Sequence, residues 1–335
     1  MTLKKQLSAL ALIGSTLLSP MGFAADSPQP TQSSEKIEHV TSQNFDTLYN
    51  QLTLQRRQTP EESKNLRYLF QEFYQMHQGP ERMRALIQTG CHIGYVDKSG
   101  QNDVPEPSGG YLSQSKGLHG TSYELVLNPK KPIETQLSTL VHESVHLQQH
   151  LHMEAIQYPG DHTLTPLAYA AKTLAGEMDA DVSSIETIYK QKDKYAATWA
   201  AFDKDLPHAK QAYEQAKAIG LSDDAAYTKA CQASVKDYDA AQKRLFGYGL
   251  QQALSDGYKM YYESSEPAGK TSANKMMEMM SKGRYQGSFE ADLEPYKPTG
   301  QHLKTLQQQL QKEGIQTQRL PESLLPVLQE KKMQR

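Results

Sequence analysis

Apolar positions along this chain recur mostly at three- and four-residue intervals, the period of helices with one buried side. On that pattern Asn44 to Arg57 and Glu61 to His77 read as helices, the second opened by Thr59-Pro60-Glu61. Met83 to Gln88 reads as a short third helix, closed by Gly90. Two stretches, Cys91 to Asp97 (CHIGYVD) and Thr121 to Asn128 (TSYELVLN), read instead as strands, the latter ended by Asn128-Pro129. Between them Lys98 to Gly120 is full of Gly, Ser, Pro and Asn, a loop placed to border a cleft. Pro132 then starts an uninterrupted helical run from Ile133 to Tyr158, with Leu137, Val141, Val145 and Leu151 as its apolar band. The sequence Tyr158-Pro159-Gly160-Asp161-His162 breaks that run. Beyond it, Leu167, Ala171, Leu174, Met178, Val182 and Ile185 mark another helix.

From Gln191 the reading stays helical: Tyr195 to Ile219, Asp223 to Phe246, Gly249 to Glu263 and Ser272 to Lys282. Met276, Met277, Met279 and Met280 read as packing residues of the last of these. The tail, residues 301–335, is Gln- and Lys-rich, with one helix to Glu313 and a second from Glu322. The expected fold class is therefore mainly α (α+β), with a small β-sheet beside the long helix that starts at Ile133 and a helical C-terminal region.

The first 40 residues differ in kind. Lys4 and Lys5 precede an apolar run from Leu7 to Leu18, and small residues follow up to Ala24-Ala25. That is the layout of a secretory signal peptide over residues 1–24, cut after Ala24. The apolar core is too short to span a bilayer, and no later stretch approaches about twenty apolar residues, so no stable membrane insertion is expected after cleavage. Residues 25–40, rich in Ser, Gln, Pro and Glu, read as a disordered linker. Export to a bacterial periplasm or the medium follows. At 335 residues the chain can bury a substantial core. A net charge of −2 argues against nucleic acid as a partner. Its two cysteines, Cys91 and Cys231, can form one disulfide in an oxidising compartment or remain two buried thiols.

Chemistry concentrates in HESVHLQQHLH, residues 142–152. His142 and His146 lie four apart on a helix, so both imidazoles can reach one metal ion, and Glu143 stands where a carboxylate can take a proton from a bound water. A catalytic zinc site needs three protein ligands and one open position, so a third ligand is required. Downstream, Glu177 and Asp181 are four apart and share a face of the next helix.

With its strand, its His-Glu-x-x-His helix and its later Glu-x-x-x-Asp, the chain resembles zincin metallopeptidases of gluzincin type. The likeness covers roughly residues 91–190, and the C-terminal half resembles nothing recognisable. It implies a zincin-like metallopeptidase domain over residues 41–190, followed by a helical region, 191–300. It also implies Zn²⁺ held by His142, His146 and Glu177, with Asp181 orienting a ligand histidine and Glu143 as general base. The strand before the helix can pair with an extended substrate in that family. The rival third ligand is His152, which holds the last position of the metzincin pattern. The glycine that breaks the metzincin helix is Gln149 here, and an unbroken helix carries His152 about 15 Å from His142. His150 fails on the same grounds. His162, Tyr158, Tyr169 and His208 are candidate oxyanion donors, unranked. The expected function is an exported zinc-dependent metallopeptidase acting on a protein or peptide substrate. The alternatives are a cell-wall peptide or amide hydrolase, and a non-catalytic periplasmic binding or scaffold protein.

Overall fold

The computed structural model describes residues 42–53, 58–95, 109–117, 120–156, 166–240 and 272–296, with isolated positions at 164, 256–257 and between 304 and 312. The signal peptide, the linker, the helix expected at Gly249 to Glu263 and the tail helices lie outside these residues, wholly or almost so.

Three helices come first: α1 (Ser42–Leu52), α2 (Pro60–Gln75) and α3 (Gly79–Thr89). At α2 the Thr59 side chain accepts from the Glu62 amide while the Glu62 carboxylate accepts from the Thr59 amide, which satisfies two otherwise orphaned donors. Gly90 closes α3 at φ 60°, a left-handed backbone that costs glycine little. The α3 helix is longer than Met83 to Gln88, because Pro80 fits a first turn and extends it backwards.

A three-stranded sheet follows: β1 (His92–Tyr95), β2 (Gly110–Gly117) and β3 (Gly120–Leu127), in the order β1-β3-β2. The β1 strand runs parallel to β3 with His92 opposite Glu124, and β2 runs antiparallel to it with Gly110 opposite Leu127. Two expectations are corrected. Residues 110–117, inside the expected loop, form a strand; their Gly and Ser content hides a segment that needs only backbone pairing with β3. The strand before the long helix, β3, is central and pairs on both sides, so its backbone is not free to take an extended substrate; among the described residues β1 and β2 are the outer strands of the sheet. Gly110 allows the close packing here, since a Cβ there would lie 2.3 Å from the Val126 carbonyl and 3.1 Å from Thr139.

The long helices are α4 (Ile133–Ala155) and α5 (Pro166–Tyr189). On α4, Leu137, Leu140, Val141, Val145 and Leu147 are buried. The α5 helix is buried on almost every side from Ala168 to Ile188, the composition of a central helix rather than a surface one. Its partly exposed positions include Thr173, Glu177 and Asp181, four apart, so one narrow stripe of α5 faces outward.

The C-terminal part comprises α6 (Ala196–Asp205), α7 (Pro207–Ala218), α8 (Asp223–Ala240), α9 (Ala273–Met280) and α10 (Phe289–Leu293). The single helix expected from Tyr195 to Ile219 is two, because Pro207 has no N–H to continue α6 and instead starts α7. Met276, Met277, Met279 and Met280 are buried as packing residues. Buried apolar residues on both sides of residue 190, from Tyr49 to Leu293, belong to one cluster, so α6–α10 share a core with the sheet and α2–α5. Cys91 and Cys231 are both free thiols and both buried; burial pushes the Cys91 pKa up to about 12, far from reactive thiolate. Among the described residues no helix is long and apolar enough to cross a membrane.

Candidate metal centre

The outward stripe of α5 meets the histidine face of α4. His142 Nε2 and His146 Nε2 lie 3.1 Å apart. Glu177 Oε2 is 3.5 Å from the first, and Glu177 Oε1 is 3.6 Å from the second. Three ligands of a tetrahedral zinc, each 2.0–2.1 Å from the ion, stand about 3.3 Å apart. The ring-to-ring spacing and the nearest carboxylate oxygen of each ring lie close to that value, and one donor atom from each residue lies within 4.8 Å of the other two, so this group could hold a metal ion. Side-chain exposures of 21% for His142, 17% for His146 and 36% for Glu177 leave the cluster reachable from solvent, as an open coordination position requires.

The outer nitrogens of both rings are tied down. His142 Nδ1 lies 2.9 Å from Asp181 Oδ1, and Tyr238 of α8 donates to Asp181 Oδ2 at 2.7 Å. A carboxylate only accepts, so His142 carries a proton on Nδ1, which leaves Nε2 as the ring atom available to an ion. His146 Nδ1 lies 3.0 Å from Gln149 Oε1. The inner Nε2 atoms of both rings and a carboxylate thus converge on one point, and with Glu177 charged such a point favours positive charge.

Electrostatics agree. Burial lowers the His142 pKa, but hydrogen bonds to Asp181 and Glu177 outweigh it and hold it well above the ordinary value. Burial also lowers His146, while the Glu177 charge raises it further, to about 9. Burial raises the Glu177 carboxyl, yet the paired imidazoles drive it below the usual carboxylate range. With no ion between them, the site holds positive charge as ring protons against a charged Glu177, and a bound cation would take the place of those protons.

Glu143 follows His142 on α4 and accepts the backbone N–H of Leu112 from β2. Burial pushes its pKa up, and the neighbouring imidazoles offset that only in part. A carboxyl raised in this way holds a proton more readily than an ordinary one.

Of the other sequence candidates, His152 stays within α4, which continues to Ala155 without a break, so it cannot swing back to the cluster. The His150 ring packs 5.6 Å from Tyr123. His208 Nδ1 is held 2.7 Å from Asp237 Oδ1. Tyr169 is buried on α5, two turns before Glu177, and Tyr158 and His162 lie outside the described residues.

Four contributors escaped the sequence reading: Gln149, Asp179, Tyr227 and Tyr238. Gln149 had a signal, since a residue three after His146 shares its helix face. The tyrosines had none, because the contact between α5 and α8 is written in no local pattern. Comparisons with protein-family models, with curated proteins and with solved structures find no match.

Proposed function

We propose that this protein is an exported, zinc-dependent metallopeptidase that cleaves peptide bonds with Glu143 as general base. The observation that carries the reading is the convergence of His142 Nε2, His146 Nε2 and the Glu177 carboxylate, with a second carboxylate, Glu143, next to His142 on the same helix. The donor set alone suits several divalent metals. Glu143 is what selects hydrolysis, since a residue that merely stores metal needs no adjacent base.

An ion held by His142, His146 and Glu177 would lower the pKa of a water toward ~7 and polarise a substrate carbonyl. Glu143 takes the proton from the attacking water and delivers it to the leaving amine, and the upward push on its pKa strengthens it as the base. Asp181 and Tyr238 keep His142 in the tautomer that leaves Nε2 free for the ion. The β2 strand, at the edge of the sheet and joined to Glu143 through the Leu112 amide, supports an extended peptide as substrate, because a strand edge offers backbone hydrogen bonds beside the base. The apolar run of residues 7–18 supports export.

Glu143→Gln tests this directly. It keeps the shape of the side chain and removes the base, so the variant should hold zinc as wild type does while hydrolysis falls by at least 10²–10⁴-fold. Full activity in that variant refutes the assigned chemistry. Parallel assays on unfolded protein and on cell-wall muropeptides separate a peptidase from a cell-wall hydrolase.

A further inference from the structure

The two ligand histidines are oriented by different chemistry, and only one arm belongs to the Glu-x-x-x-Asp element. His142 leans on a carboxylate. His146 leans on an amide, Gln149, whose orientation is fixed by its own surroundings. Gln149 Nε2 lies 2.8 Å from Asp179 Oδ2 and 2.9 Å from the Gly176 carbonyl. Both of those are acceptors, so the amide nitrogen must point at them, and Oε1 must face His146 Nδ1. Asp179 is held in turn by the Tyr227 hydroxyl, which donates to its other oxygen. All three side chains are nearly or fully buried: Gln149 is 7% exposed, Asp179 6% and Tyr227 0%.

Gly176 is a second, independent observation. A glycine inside a helix costs about 0.5–1 kcal/mol relative to alanine. A side chain here would crowd the glutamine, since a Cβ at Gly176 would stand 3.3 Å from Gln149 Oε1. The α5 helix thus gives up a side chain where the α4 glutamine lies.

We infer that Gln149 is the positioning residue of His146: locked by Asp179, Gly176 and Tyr227, it holds the imidazole with its proton on Nδ1 and its Nε2 lone pair toward the ion. This rests on the metal reading above. It extends that reading to α8, whose Tyr227 and Tyr238, eleven residues and about three turns apart, back the two orienting arms separately. An exchangeable amide in place of a carboxylate leaves His146 without a charged partner on its outer side, so the two ligand rings differ in basicity.

Zinc affinity measured by chelator competition, with nitrogen-resolved NMR of the histidine rings in the zinc-loaded protein, tests the inference. In wild type the His146 proton should sit on Nδ1, protected from exchange, with zinc at Nε2. Gln149→Met should weaken zinc binding about 10–100-fold and expose that proton, while Gln148→Met, one position earlier and bonded to Glu81 at the surface, should change neither. If the Gln149 variant does not fold, the wild-type spectrum alone decides, because zinc at Nδ1 or a proton on Nε2 overturns the assignment. Zinc binding in Gln149→Met equal to wild type also overturns it and leaves the metal site standing. If wild type itself binds no zinc, and His142→Ala makes no difference, the metal reading fails and takes this inference with it.

Discussion

Where protons sit decides what single residues can do in this molecule. His142 and His146 each point Nδ1 outward, to Asp181 and to Gln149, and so turn their Nε2 atoms toward Glu177. The spacing of His142, Glu143 and His146 made this pair readable, because four residues on a helix is one turn. The acceptors were less readable: Asp181 came from the likeness of Glu177 and Asp181 to a Glu-x-x-x-Asp element, whereas Gln149 looked like an ordinary polar helix position. A different carboxylate shows how position sets acidity. Hydrogen bonds from Lys190 and Lys217 hold Asp223, at the start of α8, down to about 2 from an ordinary 3.8. A carboxyl depressed on folding stabilises the folded state above its unfolded pKa, and the benefit fades as pH falls toward the folded one. Denaturant melts should therefore show stability dropping between about pH 4 and pH 2. Asp223→Asn should be less stable at neutral pH and show a shallower slope in that window; an unchanged slope contradicts the pairing.

Among the elements, α4 and α5 carry the architecture of the site, and both were visible in the apolar spacing of the chain. Their long uninterrupted apolar bands leave no alternative to burial. The β2 strand was not visible, because GYLSQSKG has too little alternation to stand out from a loop, and its pairing comes from β3 rather than from its own side chains. The break between α6 and α7 was legible in principle at Pro207, which the surrounding helical period obscured. Packing of α4 and α5 is testable at Leu140 and Leu174, both fully buried. Replacing either with alanine should cost about 2–5 kcal/mol in denaturant unfolding. Ile219→Ala, at 76% exposure, should stay within about 0.5 kcal/mol. Equal small effects at all three positions would contradict the packing described.

For the molecule as a whole, one core joins the sheet to the helices on either side of residue 190. This gives the C-terminal region a role that sequence alone did not suggest: α8 supplies the tyrosines behind both histidine arms. Glu186, buried at the far end of α5, gathers Arg284 at 2.9 Å and Lys190 at 3.4 Å, pinning the segment after α9 to the same helix. Long-range contacts of this kind leave no periodic trace, which is why the two halves looked independent along the chain. The central claim, that ligands on two separated helices hold one ion, is tested most directly by metal analysis after dialysis from zinc. Wild type and His152→Ala should retain about one zinc per chain, and Glu177→Ala should lose it. Zinc lost from His152→Ala but kept by Glu177→Ala, or absent from wild type, would contradict the account.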